Sequence, residues 1–135
     1  MTIRSASRER ATTETAIVVS IDLDGGAVSV ATGIPFFDHM LHQLGRHSGF
    51  SLEVRCDGDL EIDAHHTVED VGIAIGEAFA EALGDKAGVR RFASIRVPLD
   101  EALVDVALDL SGRPYLHHEV DFPGEKILGD PPFDP

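Results

Sequence analysis

Two stretches lying 87 positions apart read nearly alike: Val19-Ser20-Ile21-Asp22-Leu23-Asp24-Gly25 and Val106-Ala107-Leu108-Asp109-Leu110-Ser111-Gly112. Both alternate apolar and polar residues, the mark of a half-buried strand, and both then turn at a glycine. A chain that restarts the same pattern is built from one supersecondary unit used twice. Residues 1–90 then form a first unit and 91–135 the start of a second. A length of 135 residues suffices for one domain with a real core or for two small halves sharing one.

The second feature is a change of period. Asp63-Ala64-His65-His66-Thr67-Val68-Glu69-Asp70 carries two histidines and three carboxylates in eight residues. From Val68 the apolar residues Val71, Ala74, Ile75, Ala78, Phe79, Ala82 and Leu83 recur at three- and four-residue steps, one face of a helix ending near Gly84. The histidine pair falls in the first turn. Adjacent helical residues project about 100° apart, so His65 and His66 serve one ion poorly, whereas Glu69 is one turn from both. Imidazole nitrogen with a carboxylate at i+3 or i+4 suits divalent transition metals, and two separate ions follow. The competing reading is a solvated helix start, with Asp63 as N-cap and the acidic residues favoured by the helix dipole. It accounts for Asp63 and Asp70 but not for two consecutive histidines.

Other elements follow from pattern. Residues 1–13 read as an irregular polar arm. Val19–Leu23 and Ala27–Ala31 suggest a hairpin about Gly25-Gly26, and Ser51–Arg55 with Leu60–Asp63 a second about Asp57-Gly58-Asp59. Between them Phe36–Gly45 reads as a helix, with Phe36, Phe37, Met40, Leu41 and Leu44 on its apolar side and His39, His42, Gln43 and Arg46 on the other. Five of the seven histidines lie between positions 39 and 66, a clustering that favours a shared site. Ile95, Val97 and Leu99 alternate as a strand, and Leu103–Leu110 with Tyr115–Phe122 suggest a third hairpin. His117 and His118 in its last strand point to opposite faces and read as surface or core residues.

Composition narrows the function classes. A formal net charge of −13 disfavours nucleic acid as the main partner. No apolar run approaches the roughly 20 residues of a membrane helix, and the start lacks the hydrophobic segment of a secretory signal, so a soluble cytoplasmic protein is expected. The single Cys56 cannot close an internal disulfide. Arginines isolated on an acidic chain can hold a small phosphate or carboxylate by bidentate contacts, although most such residues are simply solvated.

These residues resemble the imidazoleglycerol-phosphate dehydratase family. The similarity rests on Arg10 to Thr15, on Gly33-Ile34-Pro35-Phe36-Phe37-Asp38-His39-Met40-Leu41, on Asp63 to Asp70, on Arg90-Arg91-Phe92, and on Pro98 to Ala102 followed by Asp109 to Tyr115, in the family's order along essentially the whole chain. The resemblance implies an α+β fold: a duplicated unit of a four-stranded sheet with helices on one face, the second unit incomplete here. It implies a homo-oligomer of twenty-four subunits and two manganese ions (Mn2+) per site. His65 would bind one metal, and His39, His66 and Glu69 would contribute to the other. Glu14, His39, His47, Arg91 and Arg113 match substrate-contacting positions, and Glu14 is the candidate for proton transfer.

The implied reaction removes water from imidazole glycerol phosphate in histidine biosynthesis. The hydrogen to be lost is not next to a carbonyl, so metal ions on the imidazole nitrogens would have to accommodate the electrons. Members of the family carry a second His-His-x-x-Glu turn. The counterpart of His65 would lie 87 positions further on, so the second unit reads as cut off after its first hairpin. Two rival readings remain: a two-metal phosphate-ester hydrolase, and an inactive fragment.

Overall fold

The computed structural model describes residues 4–121, in two compact units that divide between Asp85 and Lys86. The first contains β1 (Ser5–Ala11), β2 (Thr15–Asp22), β3 (Val28–Ala31), α1 (Pro35–Ser48), β4 (Ser51–Gly58) and α2 (His65–Leu83). The second contains β5 (Phe92–Leu99) and β6 (Ala102–Asp109).

In the first unit one four-stranded sheet runs in the order β1-β2-β4-β3. Strand alternation places Ile17, Val19 and Ile21 of β2 beside Cys56, Val54 and Leu52 of β4 on one face. That face meets Val71, Ala74, Ala78 and Ala82 of α2 and Leu41 of α1 to form the core. Three alanines in the buried stripe of α2 let the helix lie close to the sheet. Gly45 does the same for α1, since a Cβ there would stand 2.7 Å from Val28 Cγ2. Removing such apolar area from water is what holds helix and sheet together.

Several expectations change here. The N-terminal arm is a strand. Its alternation is hidden in the sequence because the inward positions of β1 are Ala6, Arg8 and Arg10, paired in register with Ile21, Val19 and Ile17. The arginines remain at this face by meeting carboxylates of α2: Arg8 contacts Glu81 at 2.6 Å and Arg10 contacts Asp70 at 2.8 Å. The segments either side of Gly25-Gly26 are not a hairpin either. β4 inserts between them, antiparallel to β2 and parallel to β3, and α1 supplies the crossover that parallel pairing needs.

The Ser51–Asp63 hairpin is also absent. β4 continues to Gly58, and 59–63 is a turn in which Ile62 is 68% exposed. α1 begins one residue earlier than its periodicity suggests and runs three residues further. Pro35 opens it, and Gly49 closes it in the left-handed region, donating to the Gly45 carbonyl at 3.2 Å. No helix among the described residues is long and apolar enough to cross a membrane.

In the second unit β5 and β6 form an antiparallel hairpin. The expected partner of β6, Tyr115–Phe122, forms no strand as far as Asp121, and Phe122 lies outside the described residues. The register reproduces that of β1 and β2. Val104, Val106 and Leu108 pair with Val97, Ile95 and Ala93, each 87 positions from the pairs Ile17–Arg10, Val19–Arg8 and Ile21–Ala6. The repeat therefore extends to strand pairing. The face that α2 covers in the first unit is here apolar and exposed, from 42% at Val106 to 62% at Ile95.

Candidate active site

The loop-to-helix junction ahead of α2 fixes the two histidines. Ala64 occupies the N-cap position, and Asp63, one residue earlier than its expected role, accepts a hydrogen bond at 2.7 Å from the His65 backbone N–H. The rings of His65 and His66 meet edge to face, their centroids 5.7 Å apart and their planes at 70°. Each has its own carboxylate. His65 Nε2 lies 3.1 Å from Glu69 Oε2 on the next turn, and His66 Nδ1 lies 2.8 Å from Asp59 Oδ2.

Glu14 stands in the turn between β1 and β2, its carbonyl accepting the Asp59 backbone N–H at 3.1 Å. Hydrogen bonding by the Thr13 hydroxyl, then by that of Thr12, holds the Glu14 carboxyl below its ordinary range, with a smaller attraction from His66. The His66 ring is pushed the other way. Its bond to Asp59 raises its pKa against partial desolvation, and the charges of Asp59, Glu14 and Asp63 add to the rise.

Beneath these groups lies an anchor. Asp70, only 8% exposed, accepts from Thr15 Oγ1 at 2.6 Å and from Arg10 Nε at 2.9 Å. One carboxylate thus ties the first turns of α2 to both strands that flank Glu14. Asp70 is no solvated helix-start residue, because β1 and β2 bury it.

Two of the remaining candidates lie on α1 and two in the second unit. His39 is exposed on α1, and His47 Nε2 sits 3.1 Å from Gln43 Oε1 on the same helix. In the second unit, Asp109 grips the Arg91 guanidinium at 2.7 and 3.1 Å, and Arg91 lies 4.7 Å over the Phe92 ring. Arg113 follows Gly112 in a turn where its N–H donates to Ser111 Oγ at 3.2 Å.

A family model described as imidazoleglycerol-phosphate dehydratase matches residues 32–132. The chain belongs to the imidazoleglycerol-phosphate dehydratase family. It is 63% identical over 116 residues to the imidazoleglycerol-phosphate dehydratase of Parafrankia sp. strain EAN1pec, a match covering 85% of this chain and 60% of the relative. It is 58% identical over 127 residues to that of Gluconacetobacter diazotrophicus, covering 93% and 64%. The chain thus spans less than two thirds of these relatives. Its fold is similar to the imidazoleglycerol-phosphate dehydratase of Staphylococcus aureus N315 (TM-score 0.80, 34% identity, 93% of this chain and 68% of that one). It is similar too to that of Pyrococcus furiosus in complex with (S)-C348 (TM-score 0.73, 36% identity, 84% and 60%).

The donors at the α2 start suit a metal of the kind this resemblance implies. Neutral imidazole and carboxylate are ligands for divalent transition ions, and one ring nitrogen of His66 is already engaged by a carboxylate, the usual outer partner of a ligating histidine. Glu69 faces His65 rather than His66. Among the described residues no three His, Cys, Asp or Glu side chains are grouped so as to hold one ion. Pattern reading missed Asp59, Arg10 and Thr15 as parts of this constellation, and the partners of Asp70. Asp59 read as a turn residue, Asp70 as a member of the histidine motif or a dipole complement, and Arg10 as an anion holder or a solvated charge, because each acquires its partner only through strand and helix packing.

Proposed function

We propose that this chain carries one half of an active site that dehydrates imidazole glycerol phosphate to imidazole acetol phosphate in histidine biosynthesis, as a cytoplasmic hydro-lyase. The observation that carries the reading is the pair His65 and His66, each beside its own carboxylate, with Glu14 at the same junction. Residues 1–90 and 91–135 are taken as the two repeat units, and the working particle as a homo-oligomer of twenty-four subunits.

In the complete site two Mn2+ ions would be held, one by His65 and the other with contributions from His39, His66 and Glu69, the last of which would have to turn from the His65 ring that it contacts here. Bound there, a divalent ion supplies Lewis-acid stabilisation of charge developing on the substrate's imidazole. The protein's own groups do the rest. Glu14 is ionised at neutral pH, because its lowered pKa lies far beneath it, and so can accept the proton that leaves the glycerol side chain and return one to the departing hydroxyl. His39 and His47 contribute polar contacts to the substrate. Arg91 and Arg113 suit its phosphate, and the two-point grip of Asp109 holds the Arg91 fork in a fixed plane for such bidentate recognition.

The test is product analysis. The protein that carries this chain, with Mn2+ and imidazole glycerol phosphate, is expected to yield a ketone without releasing phosphate, and Glu14→Gln is expected to lower that yield roughly 10²–10⁴-fold. Phosphate release without ketone would make the protein a hydrolase. An unchanged substrate would leave it the inactive fragment of the alternative reading.

A further inference from the structure

Asp59 is the turn residue immediately after β4, and three contacts converge on it. Its backbone N–H donates to the Glu14 carbonyl at 3.1 Å, its own carbonyl accepts from the Ile62 N–H at 2.8 Å, and its Oδ2 meets His66 Nδ1 at 2.8 Å. The carboxylate side chain is 19% exposed, and Oδ1 is buried with no hydrogen-bond partner. A charged oxygen left without a partner is costly, so turn formation alone does not account for this residue. An Asn or Ser would serve a turn without leaving a buried charged oxygen unmatched.

We propose that Asp59 is a positioning residue that sets which nitrogen of His66 faces outward. An ionised carboxylate has no hydrogen to donate. The hydrogen shared at 2.8 Å must therefore reside on Nδ1, and in the neutral ring the lone pair is then confined to Nε2. Free neutral imidazole side chains favour the opposite tautomer, so Asp59 imposes a choice that His66 alone would not make. A role for this choice in chemistry rests on the reading of His66 as a metal donor. The tautomer itself does not.

The experiment uses ring-15N histidine in the whole chain, at a pH where His66 is neutral, with the His66 signals assigned by their loss in His66→Gln. The expected wild-type spectrum shows a protonated Nδ1, an unprotonated Nε2 and an Nδ1 hydrogen protected from exchange with water. In Asp59→Ala the pattern reverts to mainly protonated Nε2. Asp59→Asn, whose amide can accept or donate, gives intermediate shifts and keeps the comparison available if the alanine variant does not fold. A wild-type His66 protonated on Nε2, or a pattern unchanged in both variants, overturns the proposal. Binding of Mn2+ alone, followed by water-proton relaxation, is expected to weaken about 10–100-fold in Asp59→Ala. If the tautomer changes while Mn2+ affinity does not, the positioning role stands and the metal-donor reading of His66 falls.

Discussion

Replacing Asp70 with Asn keeps the shape of the side chain and removes its charge. In the wild type that charge is only 8% exposed and receives a hydroxyl from Thr15 at 2.6 Å and the Arg10 guanidinium at 2.8–2.9 Å. Hydrogen bonds to a charged group contribute about 1.5–3 kcal/mol each. The Arg10 side chain is 34% exposed, so water replaces part of its share, and the expected cost is about 2–3 kcal/mol. With a urea slope of roughly 1–3 kcal/mol per molar, the midpoint followed by circular dichroism should fall by about 0.7–3 M.

The loss should also depend on pH in a defined direction. Thr15 first, then Arg10, hold the Asp70 carboxyl below the ordinary carboxylate range despite its burial. Above the unfolded value of about 3.9 the stabilisation is fully present, and it drains away as pH falls through the lower folded value. The gap between wild type and Asp70→Asn should therefore be constant near neutrality and close in acid. A cost below about 0.5 kcal/mol, the range of ordinary surface changes, would refute the anchoring role, as would a gap that persists unchanged in strong acid.

Gly58→Ala should lower the melting temperature through a cost of about 1–3 kcal/mol, since its Cβ would lie 2.1 Å from Oγ1 of the fully buried Thr67. Val106→Thr, on the exposed apolar face of the β5–β6 hairpin, should change stability by no more than about 0.5 kcal/mol while reducing binding of the dye ANS. Glu14→Gln should cut ketone formation by roughly 10²–10⁴-fold without moving the melting temperature.

The two helices, the strand at Ile95–Leu99 and the histidine pair at a helix start were legible because each depends on neighbours along the chain. Period 3.6 and period 2 are local properties of backbone geometry. The hairpins of the first unit were misread for the complementary reason. Gly25-Gly26 does mark the end of β2, but which strand pairs with β2 is a contest among partners far apart in sequence. β4 wins it by placing Leu52, Val54 and Cys56 against Ile21, Val19 and Ile17. β1 was missed because its inward positions include two arginines, and only contact with Glu81 and Asp70 makes them acceptable there.

The candidate site divides along the same line. Residue types and spacing by themselves determined that His65 and His66 open a helix and that the strand pattern recurs 87 positions later. Tertiary structure alone decided that His66 belongs with Asp59, which leaves Glu69 to His65 within the helix, and that Asp70 is an anchor rather than a solvated charge. Local spacing limits which side chains can meet. The choice among those possibilities is made when packing buries a carboxylate, because a buried charge must find its partner wherever in the chain that partner lies.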